Sequence, residues 1–212
     1  MKQVPSSYHF SKKYASIERF ISYFYQVHSV YNLNPKKILF IGVGDGVVPH
    51  LLKRGGEYEV TTLDFDPGLN PDVVADIRSL PFGDKSFDLV CVFEVLEHIP
   101  YEDVNPALRE IIRVSKKNVV ISLPHRRTGF EIVFKFPFIR SLLKKDFLIF
   151  SIRFPIRFFG FAVSKQHYWE IDNGHTISLG KFRSDLLKNF KIIKESTPVL
   201  DFYRRFFFLE II

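Results

Sequence analysis

The sequence predicts an α/β protein: a largely parallel sheet with helices on both faces. Three observations predict it. Short β-branched runs alternate with amphipathic segments from Lys37 onward, the signature of βαβ units. At least one run, "SFDLVCVF", is apolar almost without a break, as a strand covered on both faces must be. A cluster of three glycines follows the first strand directly, where the backbone has to turn sharply into a helix. At 212 residues the chain suits one sizeable domain, since halving it would leave two small cores.

In chain order, residues 8–31 carry Ile17, Phe20, Ile21 and Phe24 at three- and four-residue spacings, which reads as an amphipathic helix. Pro35 breaks the chain. "KILFI" is a buried strand, and "GVVPHLLKRG" a helix that stops at Gly55-Gly56. "YEVTTLDF", "DVVAD" and "SFDLVCVF" supply the second, third and fourth strands. "YEDVNPALREIIRVS" sets Val104, Leu108, Ile111 and Ile112 on one helical stripe, and "KNVVISLP" is the fifth strand. "SLGKFRSDLLKNF" reads as a final helix, and "FKIIKEST" with "RRFFFLEII" as a closing hairpin.

Residues 126–166 break the alternation. They hold nine Lys or Arg against Glu131 and Asp146, so 9 − 2 = +7, the net charge of the whole chain, together with ten phenylalanines. A basic surface suits an anionic partner such as nucleic acid, a membrane surface or a phosphorylated substrate. Cys91 is the only cysteine, which excludes an intrachain disulfide and a thiolate zinc cluster. The first twenty residues are polar and broken by charges, unlike a secretory signal. The longest apolar candidate, "FLIFSI", ends at Arg153, far short of a membrane span. A cytoplasmic location is the resulting expectation.

The glycines sit at 42, 44 and 46, and Val occupies position 47, so the spacing G-x-G-x-G is tighter than the dinucleotide fingerprint. No Gly-Lys-Ser/Thr follows, which excludes a P-loop. Asp64 closes the second strand, where a carboxylate can accept bonds from two adjacent ribose hydroxyls, and Asp66 is a fallback for that role. Asp76 follows the third strand, in reach of an exocyclic amine, while Phe65, Ile77 and Leu80 offer apolar faces to a flat base. Taken singly, each Asp reads as a loop cap. All of these features fall at successive strand ends, where open α/β sheets bind ligands.

"ILFIGVGDG", "LDFD", "ADIRSLPFGDKSFDLVCVFEVLEHI" and the helix–strand pair after them, about residues 37–124, resemble the class I S-adenosylmethionine-dependent methyltransferases. The resemblance implies a Rossmann-like seven-stranded sheet, mostly parallel, with its last strand antiparallel, and S-adenosylmethionine as cofactor. It implies that Gly42, Gly44 and Gly46 wrap the amino-acid portion, Asp64 holds the ribose, Asp76 the adenine amine and Ile77 the adenine ring. Phe93 and Glu94 would border the methionine end. The expected layout is one methyltransferase domain: an N-terminal helical cap (1–34), a cofactor core (37–124), a basic, Phe-rich substrate lid (126–175) and a closing helix and hairpin (176–212).

Methyl transfer from a sulfonium is an in-line displacement on an activated carbon, so positioning and water exclusion dominate and no catalytic side chain is obligatory. Where an acceptor must lose a proton, His98 and His125 are the candidate bases. "HYWEIDNGH", with His167, Tyr168, Trp169, Glu170 and His175, reads as a loop over the substrate pocket; its spacing fits no zinc pattern, and no metal is expected. No Pro-Pro-Tyr/Phe follows the fourth strand, which disfavours methylation of DNA amines, and Cys91 inside "LVCVF" is a buried strand residue rather than a nucleophile. The basic insert has three readings. It is a helical lid whose phenylalanines pack on the core while its cations face water, an interfacial element admitting an apolar or membrane-held acceptor, or a nucleic-acid surface, disfavoured because Phe outnumbers Tyr and Trp. The leading expectation is a methyltransferase acting on an apolar or lipid-like small molecule, cytoplasmic and in peripheral contact with a membrane. The alternatives are a cofactor-binding protein without transfer activity and a nucleic-acid methyltransferase.

Overall fold

The computed structural model describes residues 5–12, 14–125, 129–137, 147–155, 163–173 and 177–212. A one-turn helix α1 (Ser6–His9) precedes α2 (Ile17–Leu33). Then come β1 (Lys37–Ile41), α3 (Val47–Arg54), β2 (Glu59–Asp64), β3 (Val73–Val74), β4 (Phe87–Phe93), α4 (Val104–Val114) and β5 (Ser115–Pro124). The hairpin strands β6 (Gly129–Pro137) and β7 (Phe147–Pro155) follow, and α5 (Leu179–Leu186), β8 (Phe190–Ser196) and β9 (Arg204–Ile211) complete the order. The main sheet has seven strands in the order β3-β2-β1-β4-β5-β9-β8. Every pairing from β3 to β5 is parallel, and β9 runs antiparallel between β5 and β8. This is the expected mostly parallel Rossmann-like sheet.

The central strands β1, β4 and β5 are largely apolar because both of their faces are buried. Leu39, Ile41, Val90, Val92, Val119 and Ile121 point to one side, where α4 brings Leu108 and Ile111 and α5 brings Phe182 and Leu186. The alternate residues Ile38, Phe40, Leu89, Cys91 and Val120 point to the other, against Val27 and Val30 of α2 and Val48 and Leu52 of α3. The period-two alternation of side chains turns one hydrophobic run into two cores. Cys91 lies fully within the second, and burial pushes its thiol well above the ordinary range, which keeps it protonated.

Two elements depart from expectation. The single helix over 8–31 is instead a turn and a separate helix, whose N-cap Ser16 accepts the Arg19 backbone N–H at 3.3 Å. The stripe of Ile17, Phe20 and Phe24 that suggested it is exposed, and Tyr23, Gln26, Val27 and Val30 form the buried face. The basic insert was read among other things as a helical lid, but its described residues build a separate two-stranded antiparallel sheet. In "FEIVFKF" the aromatics fall on every second or fourth residue, which is strand periodicity. Phe130, Ile132, Phe134 and Phe136 share one face with Ile152 and Phe154, and that face is exposed. The opposite face carries Glu131 paired with Arg153 at 2.8 Å, and Arg153 also donates to the carbonyls of Thr197 and Pro198. The hairpin thus docks on the chain by its polar side and shows water its apolar side. Among the described residues no helix is long and apolar enough to cross a membrane.

One ionic cluster anchors α5. Asp185 is buried and is bonded by Lys181, by Lys188 at 2.6 Å and by the Tyr101 hydroxyl at 2.7 Å. Burial alone would raise its pKa, but these bonds more than offset that and hold the carboxyl far below the usual range. Asp185→Asn is expected to cost about 1–2 kcal/mol at neutral pH, discounted because both lysines are half exposed. A depressed carboxylate stabilises above its unfolded pKa, so the wild-type advantage should shrink as pH falls below about 4. Thermal melts of both proteins across that range check it.

Candidate active site

The parallel strands end together, and at their carboxyl ends lies a cavity of about 590 Å³, within the range of small-molecule sites. The turn after β1 forms one wall. Gly42, Gly44 and Gly46 have φ of 86°, 59° and 77°, a region that side chains adopt only with strain. At Gly42 space matters as well, since a Cβ there would lie 2.3 Å from Val95 Cγ2. Gly42 and Gly44 line the cavity; Gly46 lies outside its lining, at the start of α3. Asp64, at the tip of β2, accepts the backbone N–H of Val43 at 2.7 Å and that of Asp66 at 2.9 Å. One carboxylate therefore fixes the glycine turn and faces the cavity together with it. Asp66 also borders the cavity but caps the next turn, accepting from Gly68 N–H at 2.8 Å.

Phe65, Ile77, Phe93 and Glu94 line the cavity. Glu94 has a left-handed backbone (φ 55°); its carboxylate accepts from the Ser122 hydroxyl at 3.0 Å and pairs with Arg204 at 3.3 Å. Asp76 is not brought to the lining. Its carboxylate takes two bonds from the Arg78 guanidinium, at 2.9 and 2.6 Å, which hold its pKa down, and Arg78 reaches on to Asp103. In this geometry the carboxylate is committed to a neighbouring guanidinium instead of an exocyclic amine. Leu80 belongs to the core beneath.

The histidines separate. His98 lines the cavity, its Nδ1 3.0 Å from the Gln166 carbonyl. His125, the other candidate base, is buried off the cavity. Arg205 donates to its Nδ1 at 3.2 Å, so Nε2 carries the proton and donates to Asp172 at 3.0 Å. Both ring nitrogens take part in tying the end of β5 to neighbouring chain. Of the "HYWEIDNGH" cluster, His167 faces the cavity. Trp169 is core, its indole N–H on the Ile99 carbonyl at 3.1 Å and its ring edge-on to Tyr101. Tyr168 is exposed beside the cavity and is not part of its lining, although its backbone N–H binds the Glu97 carbonyl at 2.8 Å. His175 lies outside the described residues.

Several lining residues had no local signal. Tyr8, His9, Tyr14, Arg19 and Tyr23, all before β1, cover the glycine turn. Tyr23 donates to Asp45 at 2.5 Å, and burial together with that bond pushes its phenol upward. From the far end of the chain come Tyr203 and Arg204. Glu97 lines the cavity too; it is fully buried, and neither carboxylate oxygen has a hydrogen-bond partner. Burial, reinforced by repulsion from Glu94 and Glu170, pushes its pKa far up.

A family model described as a methyltransferase domain matches residues 39–123. A demethylmenaquinone methyltransferase of Thermotoga maritima is 29% identical over 143 residues, which is 57% of this chain and 62% of the relative. The corresponding enzyme of Corynebacterium urealyticum is 31% identical over 118 residues, half of each chain. The chain thus spans less than two thirds of these relatives. Among solved structures, a Pyrococcus horikoshii protein superposes with a TM-score of 0.64 at 15% identity, covering 99% of this chain and 100% of that one. The magnesium protoporphyrin IX methyltransferase of Synechocystis, solved with S-adenosylhomocysteine, gives 0.61 at 15% identity over 92% and 85%. At such identities these two show the fold.

Proposed function

We propose that this chain, whose residues 39–123 match a family model described as a methyltransferase domain, is a class I methyltransferase that binds S-adenosylmethionine at the strand ends and passes its methyl group to an apolar small molecule. The observation that carries the reading is the joint geometry of the glycine turn and Asp64. Three left-handed glycines bring bare backbone to the cavity, and the carboxylate that pins them also faces it. In this reading Asp64 accepts the two ribose hydroxyls, Gly42 and Gly44 pass along the methionine portion, and Phe65 and Ile77 flank the adenine. Phe93 and Glu94 border the sulfonium end. The protein then has to hold the acceptor in line with the methyl and keep water out, which the roof of Tyr8, Tyr14 and Tyr23 serves. An acceptor that must shed a proton meets His98 on the cavity wall.

The apolar nature of the acceptor draws support from the names of the two curated relatives and from the hairpin. The exposed Phe130, Ile132, Phe134, Phe136 and Phe154, set in a segment of net charge +7, suit a bilayer with anionic headgroups, from which a lipid-like acceptor is collected. Tyr25 of α2 and Arg153 of β7 both bond the same loop, at Val199 and at Thr197 and Pro198.

Calorimetric titration with S-adenosylhomocysteine tests the cofactor, and transfer of labelled methyl to demethylmenaquinone and other apolar acceptors tests the reaction. Wild type is expected to bind the cofactor and to float with anionic phospholipid vesicles at low salt, whereas Phe130→Ser/Phe154→Ser should stay unbound to vesicles with unchanged cofactor affinity. Folded protein that ignores S-adenosylhomocysteine would end the enzyme reading, and wild type that fails to float would end the membrane one.

A further inference from the structure

Arg19 stands in the first turn of α2, where the Ser16 cap accepts its backbone N–H. Its side chain lies over the segment that precedes the helix, with the guanidinium carbon 4.1 Å from the centre of the Tyr14 ring. Tyr14 in turn packs edge to face on His9, ring centres 4.8 Å apart, and on Tyr8 at 5.6 Å. These rings close over the turn after β1. A Cβ placed on Gly44 would lie 3.3 Å from the Tyr14 hydroxyl oxygen and 4.0 Å from His9 Nδ1. Arg19, Tyr14 and Gly44 all line the cavity.

Among the described residues two arginines and no lysine line the cavity. Arg204 is occupied, since Asp201 takes two of its bonds and Glu94 faces its Nε. Arg19 differs: no carboxylate of the described residues pairs with it, and its guanidinium meets the Tyr14 ring instead. The carboxylates of the turn are engaged elsewhere, Asp45 by the Tyr23 hydroxyl and the Val47 N–H, Asp64 by the N–H groups of Val43 and Asp66. Burial raises the Tyr14 pKa more than Arg19 lowers it, so the phenol keeps its proton, and no hydrogen bond takes it up. His9 is held neutral, chiefly by burial and then by Arg19, and its Nδ1 is closed off from water without a partner. A guanidinium without a counter-charge and an unused phenolic O–H thus meet over bare glycine backbone. Their donors match a planar carboxylate.

We propose that Arg19 and Tyr14 form the seat for the α-carboxylate of S-adenosylmethionine, beside Gly44. The inference rests on the cofactor reading and deepens it, adding two residues that lie outside the stretch 39–123 matched by the family model. With the ribose on Asp64, the amino-acid tail runs along Gly42 and Gly44 and brings its carboxylate to the guanidinium. Arg19 binds it through charge-assisted bonds, and the Tyr14 hydroxyl donates one more. His9 acts through its ring contact, as a positioning residue for Tyr14. The segment before β1 therefore selects for the intact amino-acid tail over nucleosides that lack the acid.

The test titrates the full chain calorimetrically with two probes: S-adenosylhomocysteine and its decarboxylated analogue S-adenosyl-3-thiopropylamine, which keeps the nucleoside, the thioether and the amine. Wild type should bind S-adenosylhomocysteine at least about tenfold more tightly than the analogue. In Arg19→Met that preference should fall to about twofold or less, because the lost cation matters only to the probe that carries the acid. Tyr14→Phe should narrow the preference by about fivefold, the value of one hydrogen bond. Arg19→Lys, which keeps the charge without the fork, should recover part of it. Circular dichroism establishes that the variants fold; if Arg19→Met does not, Tyr14→Phe and Arg19→Lys decide. A wild type that treats both probes alike would overturn the proposal and leave the cofactor reading standing. So would folded variants that keep the full preference, even with both affinities reduced, since Arg19 would then only shape the roof. A wild type that binds neither probe would overturn both readings.

Discussion

Asp64→Ala is expected to weaken S-adenosylhomocysteine binding by about 100-fold while the protein stays folded. Two charge-assisted bonds to the ribose, at about 1.5 kcal/mol each, amount to roughly 3 kcal/mol, and every 1.4 kcal/mol is a factor of ten. A second loss compounds the first, because the same carboxylate accepts from Val43 N–H inside the glycine turn. Asp64→Asn separates the two contributions. Its amide oxygen can keep one backbone bond, but its NH₂ group would face the N–H of Val43 or Asp66, donor against donor. Asparagine should therefore rescue little. Calorimetry on the three proteins, with circular dichroism as the folding control, gives the answer, and equal affinity in all three would remove Asp64 from the site.

The largest stability effect is expected at Arg204→Met. Arg204 is buried and binds both oxygens of the buried Asp201, at 3.0 and 3.1 Å, while its Nε lies 3.3 Å from Glu94. Burial already raises the Asp201 pKa with the guanidinium in place. Removing the cation leaves two carboxylates in a region of low dielectric, at a cost of about 3 kcal/mol. The Arg204→Met/Asp201→Asn double variant should recover part of that, since a buried pair replaced on both sides costs far less than a pair broken on one. Urea denaturation of the single and double variants measures the difference. An Arg204→Met protein as stable as wild type would mean that water reaches the cluster.

The sheet was legible because its signals are local. Each strand is a β-branched or apolar run, and the turn after β1 needs glycine at three left-handed positions wherever the rest of the chain goes. That Asp64 and Ile77 border the cavity follows from their places at strand ends, and these too were readable. What stayed hidden depended mostly on partners distant in sequence. The spacing of α2 reveals a helix but not which side meets the sheet, and the side bearing Tyr23, Gln26 and Val27 won over Ile17, Phe20 and Phe24. Asp76 is bonded by Arg78, two residues on, and His125 by Asp172 and Arg205, which are distant in sequence and marked by no motif. Trp169 looked like pocket material because it stands close to His167, yet its indole N–H binds the Ile99 carbonyl and its ring lies in the core. The roof of N-terminal aromatics had only their crowding in the sequence as a hint.

The position of β9 has a consequence for synthesis. Residues 204–211 fill the slot between β5 and β8, and their first residue is the arginine that neutralises Asp201 and Glu94. On the ribosome, β1 to β5 emerge well before them and can assemble as a parallel half-sheet. Until β9 arrives, that half-sheet keeps one naked edge along Asn118–Pro124, and Glu94 waits without its counter-ion. A nascent chain in that interval is open to pairing with another copy of itself and is not ready to take a ligand. Maturation of the cavity is therefore a late event, set by the translation of one strand.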